Sequence, residues 1–296
     1  VAKQKKLHGL SGNNIRITDK ALYALIDGYT REAGVRKLEQ KIASLCRKAT
    51  VKIVKDGEKR VSVKDTDLEA LLGAAKFTAD TVEEAPVVGV VNGLAWTSVG
   101  GELLQAEVAV LDGSGKTELT GSLGDVMKES ALAAISYIRA NTEKYGIDSK
   151  FYKEKDIHIH FPEGAVPKDG PSAGVTMATA LVSALSGIPV NQKVAMTGEI
   201  SLRGRVLPIG GLKEKTMAAY RAGIKTVIIP KKNVPDLSEV DPVVRSAIEF
   251  VPVSELGEVF DTALCKNESK AVAAASLNIK SEKTYTTIRA GGLNEF

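Results

Sequence analysis

The chain has 296 residues, of which 44% are hydrophobic and 26% charged, the composition of an ordinary globular protein with one large or two modest domains. No apolar run reaches the roughly 18 residues of a membrane span, and no signal-peptide pattern opens the chain, so we expect no membrane partner. The first residue is Val1 and not Met, so we expect a fragment or a processed product.

The two cysteines and the uneven charge give broad expectations about location and partners. Cys46 and Cys265 lie far apart in helix-like stretches, which favours two free thiols in a reducing cytoplasm. Residues 1–60 carry 15 Lys and Arg against 6 Asp and Glu, a local charge of +9 in a chain of net charge +4. Such a segment indicates either solvated helix faces or a surface for nucleic acid or an acidic partner.

The first 76 residues predict a small helical bundle. Apolar residues recur at helical spacing between residues 15 and 55, with Thr18 or Asp19 as the N-cap of the first helix. The stretch "VKDTDLEALLG" predicts a further short helix ending near Gly73. The polar residues 77–86, which end in proline, indicate a linker.

From Val87 onwards the pattern predicts a mixed α/β domain that extends to residue 266. Strands are expected at "DIHIHF", "IKTVIIP" and "IEFVPV", a hairpin in "KVAMTGEISLRGRVLPIGG", and helices in "VMKESALAAISYIRANTEKYG", after Ser172, in "LKEKTMAAYRAG" and in "SELGEVFDTAL". Residues 267–296 are polar and rich in small residues, and we expect a weakly ordered or cloning-derived tail. The fold class is therefore α+β, a helical bundle followed by a mixed α/β domain.

Two motifs in this domain suggest ligands that the rest of the sequence does not support. "GSGKT" (113–117) lacks the glycine that a phosphate loop needs, since Val110 stands there, so we interpret it as a hairpin turn. His158 and His160 share one face of a predicted strand, a spacing that can hold zinc. Because no third ligand is evident, hydrogen-bonded histidines are the alternative interpretation and no metal site is predicted.

Ser172 in "PKDGPSAGVTMATAL" is either a helix cap or a nucleophile. A cap accounts for the hydroxyl but not for the preceding Gly170-Pro171, which fixes the approach of the chain and leaves space beside it. The N-terminus of a helix also presents free amides to a developing oxyanion. With only three histidines in the chain, a nucleophile here would need another base.

A neutral lysine is the candidate base. The usual lysine pKa lies about 3 units above neutral pH, a cost of roughly 4 kcal/mol, so the amine must be desolvated. In "GGLKEKTMAAYRAG", Lys215 shares a helical face with Leu212, Ala218, Ala219 and Ala222, whereas Lys213 faces the side of Thr216, Met217 and Tyr220. Lys215 thus either points inward or reaches solvent at the edge of the apolar stripe.

The motifs "PKDGPSAG", "MTGEISLRGRVLPIGGLKEK" and "GLAWTSVGGELL" resemble the proteolytic domain of Lon, the ATP-dependent protease of the Ser-Lys dyad class. The resemblance implies that Ser172 is the nucleophile and Lys215 the general base. It further implies that Thr197 orients the lysine and that Asp169 and Glu199 act as modulators near the dyad. Trp96 is expected to line the substrate groove, with a core position as the alternative.

The upstream stretch "YTREAGVRKLEQKIASLCRKA" is similar to the small helical domain that ends the ATPase module of Lon. The resemblance places Arg36 as the sensor that contacts nucleotide phosphate in the full-length enzyme. No Walker motif is present, so we expect no cofactor in this chain, and ATP with Mg in the full-length enzyme. The resemblance also implies unfolded protein substrates, a homohexamer, a cytoplasmic location and weak DNA binding through the basic segment.

Overall fold

The structure is a computed structural model that describes residues 1–11, 13–30, 32–77, 82–97, 100–162 and 166–266. The predicted linker 77–86 lies partly, and the predicted tail 267–296 wholly, outside the described residues. In the described ranges no helix is both long and apolar enough to cross a membrane.

The predicted N-terminal helical bundle is confirmed. Thr18 is the N-cap of its second helix, because the Thr18 hydroxyl accepts a hydrogen bond from the Ala21 amide at 3.2 Å. Two three-residue strands, β1 and β2, pair in parallel within this bundle and were not predicted. Its elements are α1 Ala2–Leu7, β1 Ile15–Ile17, α2 Asp19–Tyr29, α3 Arg36–Lys55, β2 Val61–Val63 and α4 Leu68–Leu72.

The second part is a seven-stranded mixed sheet, which confirms the predicted α+β class. Its strands follow the order β11-β10-β7-β3-β4-β6-β5, and a separate hairpin is formed by β8 and β9. The strands are β3 Val90–Thr97, β4 Gly100–Asp112, β5 Thr117–Thr120, β6 Lys155–His160, β7 Val194–Met196, β8 Glu199–Ile200, β9 Val206–Leu207, β10 Thr226–Pro230 and β11 Glu249–Val253.

Helices cover both faces of this sheet. In β10, Ile228 belongs to the core beneath α5, α7 and α10, whereas Val227 and Ile229 belong to the core beneath α8 and α9. Because successive strand residues point to opposite faces, this alternation separates the two cores. The helices are α5 Asp125–Ala140, α6 Phe151–Glu154, α7 Gly174–Ser186, α8 Leu212–Arg221, α9 Pro242–Ala247 and α10 Leu256–Ala263, with 3₁₀ turns at Asp65–Asp67, Glu143–Tyr145, Pro171–Ala173 and Lys231–Glu239.

Two local predictions need correction. The "GSGKT" loop is not a hairpin turn, because β4 and β5 do not pair with each other and instead flank β6. The Asp156 carboxylate accepts hydrogen bonds from the Ser114 and Lys116 amides at 2.8 Å each. It thereby fixes the loop that leads from β4 past β6 to β5. The hairpin expected in "KVAMTGEISLRGRVLPIGG" is limited to β8 and β9, since Val194–Met196 joins the large sheet.

Candidate functional site

A cavity of about 1140 Å³ lies beside the end of β3, the start of β4, the 3₁₀ turn before α7 and the start of α8. Four of the residues singled out from the sequence line it, namely Ser172, Lys215, Asp169 and Trp96. Trp96 is 60% exposed, so its core interpretation is wrong and its place in the cavity wall is the observed one. The fold therefore brings together side chains that are separated by more than 100 residues of chain.

Ser172 lies in the middle of the 3₁₀ turn that leads into α7. Neither this turn nor α7 has a side-chain N-cap, so the interpretation of Ser172 as a helix cap is wrong. Gly170 precedes the turn with φ 129° and ψ 154°, a conformation that side chains disfavour, and Pro171 starts the turn. The Gly-Pro pair before Ser172 therefore has a structural explanation, because these two residues direct the serine toward the cavity.

Lys215 is buried, with 3% of its surface exposed, so the alternative of a solvent-reaching lysine is wrong. Its Nζ donates a hydrogen bond to the Thr197 hydroxyl at 3.2 Å. Burial lowers the pKa of Lys215 from 10.5 to about 8, because a low-dielectric surrounding penalises the ammonium form. The two faces predicted for α8 are observed with one exception. Thr216 is predicted on the side of the exposed Lys213, but it is fully buried.

Glycines allow α8 to approach the sheet closely enough to bury this lysine. A Cβ on Gly101 in β4 would lie 2.0 Å from the Glu214 carbonyl oxygen, so no other residue fits there without displacing the helix. Gly211, the residue before α8, has φ 71° and packs against the Trp96 side chain. Lys215 is thereby held in the first turns of a helix pressed against β4.

The two residues after β7 connect both halves of the site. Thr197 bonds to Lys215, and the amide of Gly198 donates a hydrogen bond to the Ser172 carbonyl at 2.9 Å. Over the described residues, no hydrogen bond joins the Ser172 hydroxyl to the Lys215 amine. Catalytic hydrogen bonds often tighten only when substrate is bound, so this separation is compatible with a serine–lysine pair.

The other predicted residues fall in different places. Asp169 lines the cavity, but its Oδ1 accepts bonds from the amides of Met127 at 3.1 Å and Gly170 at 2.9 Å, so it caps the start of α5. This cap was not foreseen, because it joins residues 42 positions apart. Glu199 begins β8 and is not among the residues that line the cavity. Arg36 is exposed at the start of α3, in the helical bundle.

The remaining histidine motif has a structural explanation. His158 Nε2 and His160 Nδ1 each lie 2.7 Å from the hydroxyl of Thr120, which stands beside them on β5. In the part of the chain that the structure describes, no group of three or more His, Cys, Asp or Glu could hold a metal ion. The hydrogen-bonded interpretation of these histidines is thus the one that the geometry supports.

Comparison with known proteins assigns both parts of the chain. Residues 62–266 match the family model for the Lon protease (S16) C-terminal proteolytic domain. Residues 6–61 match the model for the Lon protease AAA+ ATPase lid domain. The chain therefore belongs to the Lon protease family, a family of serine proteases.

Curated relatives agree with this assignment. The chain is 58% identical over 262 residues to a Lon protease of Finegoldia magna, covering 88% of this chain and 34% of that protein. It is 56% identical over 264 residues to a Lon protease of Brevibacillus choshinensis (89% and 34%), and 54% identical over 262 residues to Lon protease 1 of Bacillus subtilis (88% and 34%). The chain thus spans about a third of the length of these relatives.

Proposed function

We propose that this chain is a serine endopeptidase domain that cleaves unfolded polypeptide, with Ser172 as the nucleophile and Lys215 as the general base. One observation carries the proposal. The buried amine of Lys215, which is bonded to Thr197, belongs to the same cavity as Ser172, whose hydroxyl does not cap a helix. A serine needs a base to become nucleophilic, and a lysine can serve only when its pKa is lowered.

The lowered pKa of Lys215 makes the required proton transfers feasible near neutral pH. With a pKa of about 8, about a fifth of the amine is neutral at pH 7.4. The neutral Nζ takes the proton of the Ser172 hydroxyl while the Oγ attacks the peptide carbonyl. The resulting ammonium returns the proton to the leaving amine, and water then releases the acyl group by the same path in reverse.

We assign the stabilisation of the oxyanion to backbone amides at the start of the segment that carries Ser172. The first amides of a helix have no partner within the helix, and the helix dipole adds positive potential there. Thr197 is a positioning residue in this scheme, since its hydroxyl fixes the amine of Lys215. Asp169 positions the loop before Ser172 through the cap on α5.

Hydrolysis of a permanently unfolded polypeptide tests the assignment of the nucleophile. Ser172→Ala is expected to abolish cleavage, whereas Ser246→Ala, at an exposed serine of α9, is expected to cleave like the unmodified chain. Chelators are expected to leave the activity unchanged. Cleavage that survives Ser172→Ala would reject the proposal, and a chelator-sensitive activity would point instead to a metal hydrolase.

For the full-length protein we propose ATP-dependent degradation by a cytoplasmic homohexamer. The residues present here do not fit a complete nucleotide site, because the amides of the "GSGKT" loop are bonded to the Asp156 carboxylate and no Walker motif exists in the sequence. Arg36 is exposed and available to a nucleotide held by other residues of the full-length protein. No step of peptide cleavage is assigned to ATP or Mg in this chain.

DNA binding is a second candidate function, supported by the exposed basic side chains of α3. Arg36, Arg47, Lys48, Lys52 and Lys55 are all exposed on this one helix. Binding through phosphate contacts would weaken steeply as the salt concentration rises. The slope of log affinity against log salt concentration would become shallower by about one unit for each contact removed. Titration of duplex DNA at several salt concentrations, with Lys48→Gln and Lys52→Gln, measures this. Binding that does not change with salt would contradict it.

A further inference from the structure

Glu214 is an acidic residue in the lining of the cavity that peptide hydrolysis, as proposed above, does not use. It is the third residue of α8, partly buried, and it lines the cavity directly before Lys215. Across the described residues its side chain forms no hydrogen bond and no ion pair. The lowered pKa of Lys215 arises from burial alone, without a contribution from this neighbouring carboxylate.

The charged groups on the loop before Ser172 are engaged with protein atoms. The Asp169 carboxylate accepts two backbone amides, and the Lys168 amine donates to the carbonyls of Gly121 and Val166 at 3.5 and 3.3 Å. Glu214 differs from both, because the side chain of this partly buried residue has no such partner. A polar group in this condition gains from a ligand that restores the lost hydrogen bonds.

We propose that Glu214 is a specificity-determining residue that favours substrates with Lys or Arg at the subsite it lines and disfavours Asp or Glu there. A substrate cation would form a charge-assisted hydrogen bond with the carboxylate, and a substrate anion would meet a like charge. This inference rests on the proposed function, since the subsite belongs to the cavity assigned to the peptide. It adds a preference that the serine and the lysine do not themselves impose.

A structural role for Glu214 makes a different prediction. A carboxylate in the first turn of a helix interacts favourably with the helix dipole, which would affect the stability of α8 alone. Replacing it would then change the thermal midpoint but not the order in which substrates are preferred. Substrate ranking is therefore the measurement that separates the two roles.

The test uses quenched fluorescent peptides that are identical except for Lys, Gln or Glu placed at successive positions around one cleavage site. In the unmodified chain, one position is expected to give kcat/KM in the order Lys, Gln, Glu, with at least a fivefold difference between the extremes that shrinks at high salt. Glu214→Gln is expected to reduce this difference to less than twofold. Glu129→Gln, at an exposed site of α5 away from the cavity lining, should keep it.

Binding of the same peptides to Ser172→Ala, followed by fluorescence anisotropy, separates this inference from the proposed function. Suppose that the unmodified chain cleaves no peptide, that Ser172→Ala binds the peptides in the order Lys, Gln, Glu, and that the Ser172→Ala, Glu214→Gln double variant loses this order. The proposed hydrolysis is then rejected and the inference about Glu214 stands. If cleavage occurs with no dependence on charge at any position, the hydrolysis stands and the inference is overturned. A charge preference that survives Glu214→Gln overturns it as well.

Discussion

Among the single residues of the site, the decisive one is a lysine whose surroundings oppose its own charge. Lys215 is buried, its hydroxyl partner is neutral, and its pKa is lowered to about 8. The folded chain therefore binds fewer protons at this site than the unfolded chain between pH 8 and 10.5. The same burial that makes the amine a usable base must cost stability at neutral pH.

Lys215→Met is accordingly expected to stabilise the fold while removing the proposed base. At pH 7 the free energy of unfolding should rise by up to about 3 kcal/mol, because the variant buries no ammonium group. Above pH 8 the gain should shrink, since the unmodified chain becomes more stable as the lysine loses its proton, and by about pH 10.5 it should be gone. Urea unfolding at several pH values measures it. The exposed Lys213→Met serves as control, and a destabilised Lys215→Met would contradict the burial argument.

Thr197 is expected to affect the rate and not the binding of peptides. Thr197→Val removes the hydroxyl that accepts the bond from the Lys215 amine, so kcat should fall about 3- to 10-fold, the value of one hydrogen bond. KM should stay the same because Thr197 is not among the cavity-lining residues. Steady-state kinetics that show an unchanged kcat, or no recovery in Thr197→Ser, would remove Thr197 from the scheme.

At the scale of elements, the site is set by how closely α8 and the Ser172 segment approach the sheet. α8 comes within contact of β4 at Gly101, and the two residues after β7 form one hydrogen bond with each side of the site. The relative placement of serine and lysine therefore depends on contacts of both segments with the sheet and with the residues after β7. A change that moves one element should disturb the site even when it touches neither side chain.

Gly101→Ala tests this dependence. Its Cβ would lie 2.0 Å from the Glu214 carbonyl oxygen, so α8 has to shift, and we expect a loss of about 1–3 kcal/mol of stability together with lower kcat. Gly210→Ala, where the added Cβ meets nothing within 4 Å, is the matched control for the unfolding measurement. Equal midpoints for the two variants would mean that the close approach of α8 does not constrain the fold.

Elements with a regular apolar period could be predicted from the sequence, and contacts between distant segments could not. Apolar neighbours three, four and seven residues away allow two interpretations of Lys215, inward or reaching solvent, and its burial decides for the inward one. The bond from Lys215 to Thr197 and the cap of α5 by Asp169 join different elements, and no local pattern encodes them. Strand order is equally non-local, which is why the hairpin turn predicted for the "GSGKT" loop is wrong.

At the scale of the whole molecule, the helical bundle and the α/β part have separate cores. The buried cluster of the bundle runs from Leu10 to Leu68, and none of its members belongs to the two clusters around the large sheet. The contacts between the parts include one ion pair, Asp27 with Arg221 of α8 at 2.9 Å, and both side chains are more than half exposed. An exposed pair of this kind contributes about 0–1 kcal/mol, so it couples the two parts weakly.

The two cores are therefore expected to unfold in separate steps. Leu45→Ala, within the bundle core, should destabilise that part by about 2–5 kcal/mol and leave the second transition in place. Trp96, the single tryptophan of the sequence, lies in the α/β part and reports that transition by fluorescence, while circular dichroism reports both. Leu181→Ala in α7 should shift the tryptophan transition. One coincident transition for all variants would show that the parts unfold together.

If a desolvated lysine activates Ser172, peptide hydrolysis must depend on pH with the lowered pKa of that lysine. Between pH 6 and 10, the unmodified chain is expected to gain activity with an apparent pKa near 8, while Ser172→Ala and Lys215→Ala remain inactive throughout. Activity that persists in either variant, or a midpoint near 10.5 as for a lysine in water, would contradict the claim.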